Sequence, residues 1–280
     1  MESANNLGPK YSIVIPAYNE SARLPSTLAS VVSCIQTRGW DAEIIVVNDG
    51  STDGTADAVR KFADSTPGVR SIEERLIESR PAPAVPGERR LVALRLLENP
   101  GNRGKGYSVR AGMLAARGDV VLFTDADLSA PIEEAERLFE AIRQGADIAI
   151  GSRWLQSDRQ TQRQPVYRQF FGRCFNAVTR AVMSLPFADT QCGLKAFTRG
   201  AAQKVFQLQT ITHWGFDPEI LFIAIKHGFW VIEVPVAWGH DERTRMSYLK
   251  DGLKMLQELA IIRWNAFRGR YDRPVETAKR

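Results

Sequence analysis

The sequence predicts an α/β fold that is built on a mostly parallel central sheet. Several short apolar runs are rich in β-branched residues and end at polar or turn-forming residues, which is typical of buried strands. Helical patterns separate these runs, and this alternation favours parallel strands joined by crossover helices. With 280 residues, 44% of them hydrophobic and 25% charged, the chain has the composition of a globular protein with a substantial core.

The first elements follow this alternation closely. The run Tyr11–Pro16 predicts a strand that a proline ends, and a helical pattern follows from about Arg23 to Thr37. The run Ala42–Val47 predicts a second buried strand. The polar residues Glu20 and Asp49 come just after these two strands, at the sheet edge where open α/β folds bind ligands.

Residues 65–90 interrupt the pattern. They contain several prolines and a charged patch, without the periodicity of a helix or a strand. We therefore expect an exposed insertion over residues 65–90, between a helix that ends near Ala63 and a strand near Leu91–Leu97.

The triplet Asp125-Ala126-Asp127 follows the apolar run Val120–Phe123 and so lies at the end of a predicted buried strand. Two carboxylates there carry a high desolvation cost unless a positive charge neutralises them. Mg²⁺ or Mn²⁺ suits such hard oxygen ligands. Many Asp-x-Asp triplets are only solvated loop carboxylates, so the surrounding motifs decide between the two interpretations.

The second half of the chain continues with alternating elements. The patterns indicate a helix over Ile132–Gln144, a strand over Ala146–Ile150 and a strand over Phe229–Val236. Pro235 places this last strand at an edge or at its own end. A long helix is predicted over Tyr248–Phe267. Packing on the core and an interfacial position beside anionic lipid are both open for it, because apolar and basic residues alternate there.

Four motifs occur in a fixed order and spacing, and two more follow them. The motifs are Ile13–Glu20, Asn48–Thr55, Asn102–Gly106 and Asp125–Asp127, followed by Asp189–Phe197 and Trp214–Glu219. Together they resemble glycosyltransferase family 2 over roughly residues 10–265, and most closely its polyprenyl-phosphate and dolichyl-phosphate sugar synthases of the β-glucosyltransferase type.

The resemblance implies a GT-A-type fold with a Rossmann-like nucleotide-binding half. It also implies a single catalytic domain over residues 10–270. Residues 10–128 would form the nucleotide-sugar-binding half, and residues 129–270 the acceptor-binding half with the C-terminal helix.

The resemblance further implies a metal-dependent, inverting glycosyltransferase. Asp125 and Asp127 would hold Mg²⁺ or Mn²⁺, with Asp127 essential for catalysis. Ser129 stands where some relatives carry glutamine, which leaves the third metal ligand open. The residues expected to bind the donor are Pro16, Ala17, Tyr18, Glu20, Asp49, Arg103, Lys105, Asp125 and Ala126.

Two residues of this donor set come from the segment Arg103–Gly106, which precedes a predicted helix. A helix N-terminus attracts anions, and glycines allow the backbone to approach a phosphate closely. The alternative is a plain loop-to-helix joint with solvated cations.

The acceptor determines which catalytic groups are needed. A phosphate monoester is largely ionised at neutral pH and needs no strong general base, but it needs cations to hold it beside an anionic donor. The candidates are Arg153, Arg168, Arg173 and Lys195, of which Arg153 would act in catalysis. An amphipathic helix with solvated arginines is the simpler alternative. Asp217 and Glu219 would be the candidate bases for a hydroxyl acceptor.

These inferences favour transfer of glucose from UDP-glucose to a polyprenyl phosphate. Another donor such as GDP-mannose, a hydroxyl acceptor, and a non-catalytic nucleotide-sugar-binding subunit are the alternatives. The net charge of +5 suits anionic ligands or membrane surfaces, and no nucleic-acid module is present. Three dispersed cysteines and the lack of a signal peptide or transmembrane pattern favour a cytoplasmic protein, peripheral at the membrane face.

Overall fold

The computed structural model describes residues 8–73, 91–155, 166–239 and 248–272, and one eight-stranded sheet runs through them. The strands are β1 Tyr11–Ala17, β2 Ala42–Asn48, β3 Val69–Glu73, β4 Val92–Glu98, β5 Val120–Phe123, β6 Ile148–Ser152, β7 Lys195–Thr198 and β8 Val231–Pro235. Their order in the sheet is β3-β4-β2-β1-β5-β7-β6-β8. Strands β1 to β5 thus form one side of the sheet, and the later strands form the other.

The predicted parallel sheet is confirmed, with one exception. All neighbouring strands are parallel except that β7 is antiparallel to both β5 and β6. Because β7 runs the other way, its first residue Lys195 pairs with Phe123 and Ile150 at the edge where the parallel strands end. Pro235 ends β8 at the border of the sheet, as its lack of a backbone N–H predicts.

Helices cover both faces of the sheet. They are α1 Leu24–Arg38, α2 Thr55–Ser65, α3 Lys105–Ala115, α4 Ala135–Arg143 (after a 3₁₀ turn at Ile132–Glu134), α5 Val166–Met183, α6 Arg199–Leu208, α7 Phe216–Lys226 and α8 Tyr248–Phe267. Successive strand residues point to opposite faces, so β1 contributes Ile13 and Ile15 to one core cluster and Val14 to the other. Helices α1, α2 and α4 contribute to the first cluster, and α3, α5, α6, α7 and α8 contribute to the second.

The expectation for residues 65–90 was wrong at its start. Val69–Glu73 form strand β3, which pairs in parallel with β4 at the border of the sheet. A five-residue edge strand gives only a short apolar pattern, and the prolines and charges that follow it obscure the signal. Residues 74–90 lie outside the described part of the chain.

A buried ion pair lies at the end of the sheet where the parallel strands begin. Arg95 Nη1 is 2.9 Å from Glu43 Oε2, and both side chains are almost completely buried. Glu43 also accepts hydrogen bonds from the Ser12 hydroxyl and the backbone N–H of Arg117. The pair therefore ties β2, β4, β1 and the end of α3 together.

None of the helices that the structure describes is both long and apolar enough to cross a bilayer.

We expect Glu43→Gln to lower the free energy of unfolding by about 3–5 kcal/mol, because the substitution leaves the Arg95 charge buried without its counter-ion. Glu98→Gln is the matched control, because Glu98 forms an exposed ion pair with Arg60, with Oε1 of Glu98 3.2 Å from Nη2 of Arg60. Urea denaturation of the three proteins measures the difference. Equal unfolding midpoints for the two variants would contradict the importance of the buried pair.

Candidate active site

The carboxyl edge of the parallel strands gathers the polar groups that the sequence predicted. Asp125 and Asp127 follow β5 in a tight turn, in which Leu128 has a left-handed φ of 47°. The turn brings the backbone N–H of Ser129 to 2.9 Å from Asp127 Oδ1. Ala126 is buried, and its carbonyl accepts a hydrogen bond from the Thr27 hydroxyl of α1. These bonds hold the Asp127 carboxylate and the middle residue of the triplet in place.

Lys105 supplies a positive charge to this edge. Its Nζ lies 2.6 Å from Asp125 Oδ1, and the Trp214 ring centroid is 5.1 Å from the same Nζ. Burial acts to lower the pKa of Lys105, but the charges of Asp125 and Asp217 outweigh it, and the pKa is raised. Lys105 therefore stays protonated at neutral pH. The residue that was predicted to contact a phosphate lies against the Asp125 carboxylate.

The carboxylate pair still has an excess of negative charge. Burial, and then repulsion from Asp125, raises the pKa of Asp127. The described residues contain no group of three or more His, Cys, Asp or Glu side chains that could hold a metal ion. Two carboxylates nonetheless fit Mg²⁺ or Mn²⁺, because such ions usually take one or two protein carboxylates and complete their shell with substrate phosphates and water.

Gly193 allows the two halves of the sheet to meet at Asp125. A Cβ atom at Gly193 would lie 2.1 Å from Asp125 Oδ2, which is far inside van der Waals contact. Antiparallel β7 begins two residues later, so the chain passes directly over the carboxylate. This glycine lies within the motif Asp189–Phe197, but a glycine in a loop carries no local signal of such a contact.

Asp49 organises the loop in front of α3. Its Oδ1 accepts hydrogen bonds from Asn99 Nδ2 at 2.8 Å and from the backbone N–H of Arg103 at 2.9 Å. Its Oδ2 accepts from the backbone N–H of Gly104 at 2.8 Å. Asp49 therefore fixes the loop that presents Lys105. Its predicted contact with the donor stays a prediction.

The glycines of the Arg103–Gly106 segment have a packing role. A Cβ atom at Gly104 would lie 2.5 Å from the Thr212 carbonyl oxygen, and one at Gly106 would lie 2.8 Å from the Ile211 carbonyl oxygen. These glycines therefore allow the segment before α7 to approach closely, and the predicted approach to a phosphate stays a prediction. Arg103 precedes these glycines in the loop, and its guanidinium carbon lies 5.8 Å from the Tyr107 ring centroid.

The remaining predicted donor residues lie around the end of β1. Pro16 and Ala17 are its last residues and are buried, whereas Tyr18 is exposed. Glu20 donates its backbone N–H to the Thr55 hydroxyl, and its carboxylate is 3.5 Å from Arg23. These residues lie at the same sheet edge as the carboxylate pair.

Arg153 and Arg173 converge on one indole ring. The guanidinium carbon of Arg153 lies 5.5 Å from the Trp154 ring centroid, and that of Arg173 lies 5.1 Å from it. Arg153 also forms a two-pronged ion pair with Asp189, with Nε–Oδ2 at 2.7 Å and Nη2–Oδ1 at 2.8 Å. Burial acts to raise the pKa of Asp189, but Arg153 outweighs it and the pKa is lowered. Arg168 belongs to α5, but its side chain lies outside the described part of the structure.

The assignment of Lys195 to the acceptor phosphate was wrong. Its side chain is fully buried, and Nζ donates to the Cys192 carbonyl and, at 2.5 Å, to Asp217 Oδ1. A buried ammonium that is already paired cannot reach a ligand at the surface. Its role is to neutralise Asp217. Burial raises the pKa of Asp217, and the charges of Lys195 and then Lys105 only partly offset this rise.

Glu219 is not available as a general base. It is fully buried, and its oxygens accept hydrogen bonds from the Tyr271 hydroxyl, the Thr210 hydroxyl and the backbone N–H of Ile211. Asp217, the other predicted base, is also buried but interacts electrostatically with Lys105 and Asp125.

A mixed sheet with carboxylates and cations along one edge defines the class of protein as a GT-A glycosyltransferase. The sequence profile described as Glycosyl transferase family 2 matches residues 12–75 and 90–206. The chain belongs to this family of enzymes.

Curated relatives support the assignment along most of the chain. The chain is 35% identical to a dolichyl-phosphate beta-glucosyltransferase of Trichomonas vaginalis over 262 residues, covering 90% of this chain and 70% of that protein. It is 30% identical to the dolichyl-phosphate beta-glucosyltransferase of Saccharomyces cerevisiae over 273 residues, covering 93% of this chain and 76% of the relative. The human dolichyl-phosphate beta-glucosyltransferase is 28% identical over 263 residues, covering 90% and 74%.

Solved structures confirm the predicted GT-A fold. The mannosyltransferase PcManGT from Pyrobaculum calidifontis, in complex with GDP-Man and Mn²⁺, superimposes with a TM-score of 0.59 at 21% identity. The alignment covers 94% of this chain but only 65% of that longer one. Glucosyl-3-phosphoglycerate synthase from Mycobacterium tuberculosis, with Mn²⁺, UDP and glucosyl-3-phosphoglycerate, gives a TM-score of 0.60 at 18% identity, covering 96% and 82%.

We expect Gly193→Ala to lower glycosyl transfer about 100-fold, because the new methyl group must displace the Asp125 carboxylate by about 1 Å or more. Gly200→Ala is the matched control, since a Cβ atom there meets nothing within 4 Å. Steady-state kinetics and thermal unfolding of both variants measure the effect. A Gly193→Ala enzyme with parental turnover would show that this contact does not position Asp125.

Proposed function

We propose that this protein transfers glucose from UDP-glucose to a polyprenyl phosphate of the dolichyl type, with inversion at the anomeric carbon. The observation that carries the proposal is the pairing of two charge centres at one sheet edge. One is the carboxylate pair with Lys105, and the other is the pair of arginines around Trp154. The names of the curated relatives support the sugar and the lipid phosphate.

The donor belongs at the carboxylate pair. Asp125 and Asp127 are the residues that would hold Mg²⁺ or Mn²⁺, and the bound cation supplies positive charge that stabilises the departing nucleoside diphosphate. Lys105 adds a second positive charge beside Asp125. Asp49 acts indirectly by holding the backbone of Arg103 and Gly104. Tyr18, which is exposed, and Glu20, which follows the same strand, would contact the nucleoside.

The acceptor phosphate belongs at the arginine pair. Asp189 pairs with Arg153, and Gly193, four residues later, lies against the Asp125 carboxylate, so the two charge centres are neighbours. Arg173 is exposed and can bind an anion, whereas Arg153 is oriented by Asp189. With the phosphate held there, one of its ionised oxygens attacks the anomeric carbon. The new C–O bond forms as the bond to UDP breaks, and UDP leaves with the electron pair.

This reaction needs no proton transfer at the attacking atom, because the phosphate oxygen is already ionised. The environment of Asp217 fits such a reaction. Its carboxylate is buried and hydrogen-bonded to Lys195, so it would hold charge in place and not remove a proton from an acceptor.

Two alternatives remain open to test. The Pyrobaculum mannosyltransferase shares this fold and was solved with GDP-Man, so a guanine nucleotide donor is the second candidate. A non-catalytic binding subunit is less favoured, because binding alone does not require two carboxylates at the end of β5. Turnover with a panel of nucleotide sugars and a short polyprenyl phosphate separates these functions.

We expect Asp127→Asn to lower turnover about 100-fold or more, because it removes a metal-binding charge that acts on the leaving group. The same change should not destabilise the metal-free protein at neutral pH. The pKa of Asp127 is raised in the folded state, so ionised Asp127 opposes folding there and a neutral amide relieves the repulsion from Asp125. Kinetics at saturating Mn²⁺ and thermal unfolding in chelator test both parts. Activity within a few-fold of the parent would rule out the metal role.

We expect a polyprenyl phosphate to accept glucose and the corresponding polyprenol to be inert. Arg173→Ala should raise the acceptor KM, or lower kcat/KM for the acceptor, about 10- to 150-fold, the range for a charge-assisted contact. Arg180→Ala is the matched control, because Arg180 is exposed on the same helix two turns away. Transfer of radiolabelled glucose measures acceptor use, and calorimetry with UDP measures donor-site binding. Efficient transfer to the alcohol, or loss of UDP binding in Arg173→Ala, would contradict the phosphate assignment.

A further inference from the structure

Helix α8 has apolar side chains on two opposite faces. Met255, Leu259 and Ile262 are buried and belong to the inner face, where Leu259 and Ile262 join the second core cluster. An outer line of exposed side chains runs along the other side of the helix. Its members are four, four and three positions apart, a spacing that aligns them on one face: Leu256, Ala260, Trp264 and Phe267.

The end of this outer line carries two aromatic rings. Phe267 is 84% exposed and Trp264 is 57% exposed, which are the two highest values among the large apolar side chains of the described residues. The two rings stack on each other, with centroids 5.9 Å apart. An exposed, contiguous apolar patch of this kind marks an interaction surface more often than a chance feature.

Positive charges flank the aromatic pair. Arg263 lies four residues before Phe267, and Arg268 lies four residues after Trp264, so each ring has a cation one turn away. Lys254 and Arg270 are also exposed. Between Lys254 and Arg270 the only acidic residue is Glu258, and it is buried on the inner face. The exposed charges of this stretch are therefore all positive.

We propose that the outer face of α8 docks in the plane of an anionic lipid bilayer. Tryptophan and phenylalanine insert into the boundary between headgroups and acyl chains, while lysine and arginine contact the anionic headgroups. A second copy of the chain is a poorer partner. A two-fold contact through this face would bring the cations of one copy against the cations of the other.

The same helix also contacts the candidate active site. On its inner face, Glu258 accepts a hydrogen bond from the backbone N–H of Gly215 at 2.7 Å. Gly215 lies between Trp214, which covers Lys105, and Asp217 at the start of α7. If the acceptor is a polyprenyl phosphate, as proposed above, docking through α8 holds this segment at the surface where the lipid phosphate is found.

Vesicle binding tests the proposal without any acceptor or donor. The purified protein is co-sedimented with vesicles of phosphatidylcholine alone and with vesicles that also contain phosphatidylglycerol. We expect binding that depends on phosphatidylglycerol. The double substitution Trp264→Ser with Phe267→Ser should weaken it at least tenfold. Arg263→Gln with Arg268→Gln should weaken it about 25-fold, because each cation near an anionic surface contributes about fivefold.

Matched controls separate this face from general effects. Trp230→Ser removes a ring that is 54% exposed at the start of β8, and it should bind vesicles like the parent. Arg38→Gln with Lys61→Gln removes two exposed cations from α1 and α2 and should have little effect. Circular dichroism verifies that all variants are folded.

Three outcomes would overturn the proposal. They are the absence of vesicle binding by the parent, equal binding by the α8 variants and the controls, and a dimer that only the α8 substitutions dissociate. Glucose transfer to a detergent-dispersed acceptor is measured separately. Transfer without vesicle binding would contradict only the proposed docking surface. Vesicle binding without transfer would contradict only the proposed function.

Discussion

Charge balance at the carboxyl edge of the sheet is the constraint on which the site depends. Asp125 is paired with Lys105, Asp217 with Lys195, and Asp189 with Arg153. Each pair joins segments that are distant in the sequence, because a buried charge without a counter-charge is strongly destabilising. The charge of Asp127 is balanced least well, since burial and its neighbour raise its pKa, and this imbalance suits the edge to a bound cation.

Backbone packing makes that charge balance geometrically attainable. Gly193 permits the start of β7 to cross the Asp125 carboxylate, and Gly104 and Gly106 permit the segment before α7 to approach the loop that holds Lys105. Asp49 then fixes that loop through three hydrogen bonds. A side chain such as Asp49, which the sequence suggests as a ligand contact, therefore also holds the site together. Its removal would change both the shape and the chemistry of the site.

Periodicity predicted much of the fold because periodicity is a local property. The long helix Tyr248–Phe267 was predicted with its observed ends, and β1, β2, β4 and β5 were predicted close to theirs. Strand β3 was missed, because five residues at an edge carry little pattern. Strand β7 was missed as well, and its antiparallel direction depends on a pairing between residues that are more than seventy positions apart.

The sequence by itself determined the family, the parallel half of the sheet and the carboxylate pair after β5, because strand patterns and motif order are written along the chain. Only the tertiary structure decided which of the basic residues are buried and which are exposed beside the sheet edge. Lys195 and Arg153 looked equivalent as basic residues, yet Lys195 is buried against Asp217 while Arg153 shares the Trp154 ring with Arg173. Burial and partner choice depend on which strands become neighbours, and that neighbourhood exists only once the chain has folded.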